Sequence, residues 1–564
     1  MKKLISILLI ATTIGNLFGQ TTPKVSHDFS IETSKRYSAI SWFSGGFKCV
    51  IGDKMFGLEL VKNEIVLRRY SVEGILEQEE TVYLKWDKDV ELESVLEFEG
   101  RYYLFYSQFN KSLKLEQLFF KEIDFKVLSI EQNGHLIASV AGSIVKIAEN
   151  SYNDYKSILT KGSLSKFQFS KSLDNSKLLV VYRKTSKVKK DSKSKDVFGV
   201  LVLDEKIKQI WKHESEMPYT EKMMDNITHK VDDNGNVFMV IRVYNENASK
   251  KDIEKKRNHK MRVLKIESKT SKVKVSEINL EGKLINTISL VQDKGGNMNC
   301  VGFYSNTGSE LSSEGLFIFK LKDGSYTVNE IPLSVANSYV KEEEVIKNAE
   351  GRDVGIKNLR IRGLYYQKDG NLIITAEQYL KEVKKGGTVI SGSGSGSGGL
   401  GSNTGYSGDV SVLYYYNDIV ISKINPSGEL EWMQKLGKRQ KGNMILKSLS
   451  FNYLFMQNMH YLIFIDHENN LELASNEEPK GILSPHKGLL SAYKIDDETG
   501  EVFKVPLFKS NAFLLNEIEV SLNRVFPSSL MRINEKEIII EAFIIKAFRR
   551  LKYSKNVLIK MKLD

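Results

Sequence analysis

The unit that most constrains this chain lies between residues 367 and 437. Lys368-Asp369-Gly370-Asn371 reads as a turn, and Leu372-Ile373-Ile374-Thr375-Ala376 as the strand that follows it. Beyond a Gly/Ser-rich insertion, residues 418–424 read as another strand, Asn425-Pro426-Ser427-Gly428 as a second turn, and residues 429–433 as a closing strand. Gly and Asn suit the first turn because a two-residue hairpin loop requires positive φ, which they tolerate best.

Degenerate copies recur along most of the chain. The first turn is expected again at Gly45-Gly46, Glu99-Gly100, Asp174-Asn175, Asn234-Gly235-Asn236, Gly295-Gly296-Asn297, Gln457-Asn458 and Glu535-Lys536. Short apolar runs such as Leu178-Leu179-Val180-Val181 follow these turns, as expected of strands covered on both faces. Third strands carry a Lys between apolar neighbours (Lys265, Lys320, Lys423, Lys494, Lys560), whose stem can lie along apolar surface while its head reaches water. Helical signals are confined to residues 340–348, expected as one or two turns in a connection. The repeat predicts an all-β fold, a single β-propeller of about seven to eight four-stranded blades. The last blade runs out after its third strand, Lys555–Leu563. His27-Asp28-Phe29-Ser30-Ile31 is the expected donor of the missing strand, so the ring closes by pairing of N- and C-terminal strands.

Of 564 residues, 41% are hydrophobic and 27% charged, which suits a folded chain rather than a disordered one. Met1-Lys2-Lys3, an apolar run over 4–10 and Gly19 before Gln20 predict a cleaved signal peptide, residues 1–19, ahead of a propeller spanning 20–564. The apolar run is too short to span a bilayer, and nothing after residue 30 reads as a transmembrane helix. The expected location is therefore periplasmic, cell-surface or secreted. Cys49 and Cys300 have neither zinc spacing nor a disulfide framework, and buried free thiols are expected.

The run Lys-Ile-Asn-Pro-Ser-Gly-Glu-Leu-Glu-Trp at 423–432, behind a leader ending in Gly-Gln, resembles secreted β-propeller proteins of Bacteroidota-type bacteria. Their repeats are similar to quinoprotein-like and other extracellular propeller repeats. The resemblance covers most of the chain as a pattern and residues 367–437 closely. It implies the fold and carries over no catalytic residue; no cofactor is expected, because a fold alone does not license one.

On the strand plan, the long insertions 183–196, 247–260, 305–314, 381–412 and 467–488 join second to third strands, and 335–357 joins two blades. All of these emerge on one face, which is the expected seat of binding. Two are basic, and Lys187, Lys189, Lys190, Lys250, Lys251 and Lys255 are candidate contacts for an anionic envelope polymer. Their structural alternative is a set of solvated hairpin tips. Specific nucleic-acid binding is not expected, since these lysines lack interleaved aromatics for base stacking. The Gly/Ser-rich segment 386–408 is expected to be a flexible loop. His229, Arg360 and Arg362, on expected inner strands, are candidates at the channel mouth or structural lining residues. Histidine pairs, nucleophile elbows and calcium-loop patterns are missing from the sequence. The function these features point to is an exported, non-enzymatic binding or scaffolding module for an envelope polymer or another protein. The alternative is a propeller enzyme acting on a carbohydrate or peptide at the channel mouth.

Overall fold

The computed structural model describes residues 24–34, 37–38, 46–61, 64–83, 90–148, 164–184, 193–246, 248–249, 258–306, 311–322, 325–333, 346–347, 353–385, 410–442, 449–474, 477–482, 488–509, 514–515, 518–519, 525, 529–544 and 555–564. The expected signal peptide and the Gly/Ser-rich segment lie outside these residues.

Eight sheets of four or five strands follow one another along the chain, antiparallel but for one short added strand. Blade 1 is built from Gly46–Ile51, Lys54–Val61, Glu64–Ser71 and Leu76–Tyr83. The inner strands of blades 2 to 5 are Val90–Phe98, Phe167–Lys171, Met224–Val231 and Leu284–Gln292. Those of blades 6 to 8 are Leu359–Tyr366, Asn452–Met456 and Met531–Arg532. The count is eight, and the fold is an all-β propeller.

The apolar core is divided among the junctions between blades. Leu58 and Leu67 meet Leu104 and Ile123 between blades 1 and 2. Leu179 and Val200 meet Val237 and Met239 between blades 3 and 4, and Ile373 and Ile421 meet Leu462 and Phe464 between blades 6 and 7. Met55 and Tyr70 of blade 1 meet Ile539 and Leu558 of blade 8, so the ring is closed. A second strand therefore packs on both faces, and Val237–Tyr244 is buried at every position. Each such side chain contributes roughly 1.5–3 kcal/mol of burial free energy.

Closure follows the expected route. Phe29–Thr33 pairs antiparallel with the third strand of blade 8, Lys555–Leu563, from Phe29 opposite Leu563 to Thr33 opposite Ile559. Just before it, Lys24–Val25 lies parallel to the outer strand of blade 7, Val502–Lys509. The N-terminal segment thus ties two blades.

Most hairpin turns fall where expected. At Gln457-Asn458 and Glu99-Gly100 both turn residues have positive φ. Blade 1 departs from expectation: Gly46 begins the inner strand, and the turn is Gly52-Asp53, with Gly52 at φ +62°. A Gly-Gly pair mimics a turn that a Gly-Asp pair makes seven residues further on. The helix expected over 340–348 is not formed at its end, where Ile346–Lys347 pairs with Asp353–Val354 as a strand; residues 340–345 and 348 lie outside the described set. Cys300 is buried in blade 5 and Cys49 half-buried in blade 1, and both are free thiols.

Three of the third-strand lysines do more than reach water. Lys320 of blade 5 donates to the Pro426 carbonyl at 2.8 Å, in the third-to-fourth-strand turn of blade 6. Lys423 of blade 6 donates to the carbonyl and to Oδ2 of Asp497, both at 3.0 Å, in the same turn of blade 7. Lys494 of blade 7 pairs at 2.9 Å with Asp28, which precedes the strand donated to blade 8. Each clasps the next blade.

Candidate functional site

The connections 185–194, 245–258, 306–314, 386–409 and 468–487 join second to third strands, as expected, and 333–358 joins blades 5 and 6. They leave the ring at the end where the inner strands begin. Among the described residues, blade 6 has the longest strands. Its second strand, Leu372–Lys385, is six residues longer than Val237–Tyr244, roughly 20 Å at about 3.3 Å per residue, and pairs with Val410–Ile424 as far as Lys385 opposite Val410. Gln440–Gly442 adds a short strand that buttresses this hairpin. Residues 381–385 and 410–412, expected within a loop, are strand.

Four inner strands slip by one residue near their loop ends, at Glu93, Ile227, Asn286 and Arg362. Such bulges re-aim a side chain. Glu93 is turned toward blade 3, where it accepts from the backbone N–H groups of Lys166 (2.9 Å) and Phe167 (3.2 Å), and also from Ser107 Oγ at 2.6 Å. Arg362 is turned toward blade 7, where it donates to Ser450 Oγ at 2.9 Å; its Nε lies 3.3 Å from Glu377 Oε2.

At the same height, charged side chains interrupt the apolar second strands. Glu59, Arg183, Arg242 and Glu377 are each the sixth residue of their strand, and Glu541 is the fifth of its own. Each is paired. Glu59 meets Arg68 at 2.7 Å, Arg183 meets Asp196 at 3.0 Å, Arg242 meets Asp225 at 3.1 Å, and Glu541 meets Lys48. Glu377 and Lys438, both fully enclosed, meet at 2.7 Å. Around this belt, burial pushes Glu93 up to about 7 and Asp196 up to about 6, and it lowers Lys438 despite the Glu377 charge. Asp466 of blade 7 is also pushed up to about 6 by burial. These raised carboxyls sit on three different blades, each with its own hydrogen-bonding partners. An acid–base pair facing one substrate would need two of them in one place. Among the described residues, no three of His, Cys, Asp and Glu gather as a metal-binding set.

The candidates named from the sequence separate clearly. Lys187, Lys189, Lys190, Lys250, Lys251 and Lys255 lie outside the described residues. The basic loops are pinned at their bases, by the Arg183–Asp196 pair and by Asn245 Nδ2 donating to Asn258 Oδ1 at 2.6 Å. His229 lies on the inner strand of blade 4, where burial and the neighbouring Lys230 push it down to about 4, so it is neutral at pH 7. Arg362 is engaged by Glu377 and Ser450. Among the described residues, Arg360 has one hydrogen bond, to Thr287. The belt was not anticipated, although its signal was present: a charge five or six residues into an otherwise apolar run.

No family model and no curated protein matches this sequence. Solved structures that it resembles include a protein of unknown function from Dyadobacter fermentans, at 8% identity and TM-score 0.25 over 75% of this chain and 98% of that one. Another is the β-propeller domain of the Trilobed protease from Pyrococcus furiosus, at 11% identity and TM-score 0.27 over 72% and 96%. A third is prolyl oligopeptidase B from Galerina marginata, at 6% identity and TM-score 0.36, covering 89% of this chain and 55% of that one. Likeness at this level transfers no activity, and the architecture rests on this chain's own strand order.

Proposed function

We propose that this protein is an exported, non-enzymatic β-propeller that serves as a binding or scaffolding module at the cell envelope, using its loop face. The observation that supports this most is the one-sidedness of the long connections, above a belt whose charges are tied to one another and hold the platform rigid. The partner is an anionic envelope polymer or another protein, met by the basic loops and the blade 6 hairpin. The enzyme alternative would need convergent titratable groups at the channel mouth, and the raised carboxyls at the loop end, Glu93, Asp196 and Asp466, are instead dispersed among blades 2, 3 and 7.

The test is binding of the protein to acidic and neutral polysaccharides at two salt concentrations, alongside a variant in which Lys187, Lys189, Lys190, Lys250, Lys251 and Lys255 are changed to Gln. Salt-sensitive binding that weakens at least tenfold in the variant is the expected result. Binding indifferent to both salt and the six lysines would remove the loop face from consideration.

A further inference from the structure

Arg360 is the second residue of the blade 6 inner strand, at its loop end, and is half-buried. Its Nη1 donates to Thr287 Oγ1 of blade 5 at 3.4 Å, and among the described residues no carboxylate pairs with it. The neighbouring charge is another cation. Arg242 of blade 4 is 6% exposed and reaches Asp225 through Nη1 at 3.1 Å, while its Nε is enclosed with no acceptor. Asp225 also accepts the Tyr244 hydroxyl at 2.8 Å. Asp225 is therefore engaged by Arg242 and Tyr244 and not by Arg360. Burial, reinforced by Arg242, pulls Arg360 below the usual arginine range.

Burying a cation without a counter-charge is costly, and the five charged side chains of the belt avoid that cost by pairing. A guanidinium's planar fork is suited to two parallel hydrogen bonds from one carboxylate, sulfate or phosphate. We infer that the channel mouth at the loop end of blade 6 is an oxyanion-binding site, in which an anionic group of the ligand supplies the counter-charge that Arg360 lacks. This deepens the reading of the loop face as a recognition surface and rests on it. The lysine loops would collect an acidic chain, and Arg360 would take one of its charged groups.

The experiment is calorimetric titration of the protein with glucuronate, glucose 6-sulfate, glucose 6-phosphate and glucose, using the wild type, Arg360→Gln and Arg360→Lys. At least one acidic sugar should saturate a single site; which one does so distinguishes carboxylate, sulfate and phosphate ligands. Glucose should not bind. Arg360→Gln should weaken binding at least tenfold, and Arg360→Lys, which keeps the charge and loses the fork, should fall between. Without ligand, Arg360→Gln should melt no lower than wild type, because an unpaired buried charge has been removed. A lower Tm with unchanged binding would make Arg360 a structural residue and overturn the inference, as would failure of all three acidic sugars to bind. Polymer binding lost in the six-lysine variant but kept in Arg360→Gln would leave the loop-face reading standing and remove this site. Arg360-dependent binding of the sugars without any polymer binding would do the reverse.

Discussion

Asp497 holds the junction of blades 6 and 7 through more bonds than any apolar neighbour could supply. Its carboxylate receives Gln367 Nε2 and His460 Nε2, each at 2.7 Å, and Lys423 Nζ at 3.0 Å. Its carbonyl receives Trp432 Nε1 at 2.9 Å. Burial raises this carboxyl, but the bonds from Gln367, Lys423 and His460 outweigh it and keep the group below the usual range. Asp497→Ala would leave Lys423 buried with only Glu431 for a counter-charge. It should cost about 3–5 kcal/mol in urea denaturation, and Lys423→Met should restore part of that loss in the double variant. Glu93 makes the opposite case. Its folded pKa of about 7 lies above the ordinary 4.5, so between those values the folded chain holds a proton that the unfolded chain has released. Stability from this group is complete below pH 4.5 and is lost as pH rises toward 7. Glu93→Gln should flatten that part of a Tm-against-pH curve. The sequence placed Lys423 on a third strand and read its head as solvated, because its partner is 74 residues away and is fixed only when two blades dock.

Strands and turns were the most legible level, since Gly and Asn at positive φ and apolar runs are local properties. The exceptions are physical. Blade 1 was read out of register because Gly45-Gly46 satisfies the same turn chemistry as Gly52-Asp53. The outer strand of blade 2, His135–Ala141, carries an apolar run, Leu136-Ile137-Ala138, yet is exposed along most of its length. The blade 6 hairpin was cut short because Lys381-Glu382-Val383-Lys384-Lys385 reads as a solvated loop, although its backbone continues the ladder. The donated strand is the element on which most depends. Ile31 packs against the core between blades 7 and 8, so Ile31→Asp should lower Tm by several degrees. Deleting residues 24–34 should do more, exposing the edge of Lys555–Leu563 and producing self-association measurable by light scattering.

For the whole molecule, the ring and its one-sided loops could be read from a repeat, but the belt of buried ion pairs could not. Arg242, Asp225, Thr287 and Arg360 stand on three blades, and only the curvature of the ring brings their loop ends together. Rigidity and recognition should therefore separate experimentally. Neutralising the six loop lysines should shift stability by no more than about 0.5 kcal/mol while changing binding, as expected of surface substitutions. Closure also sets a clock on biogenesis. Phe29 is made 534 residues before its partner Leu563, so at about 5–20 residues per second the donor strand waits roughly half a minute to two minutes for the edge it completes. Until then the ring cannot lock, and a chain broken off early never can. The ring thus becomes durable only after its last strand has been made.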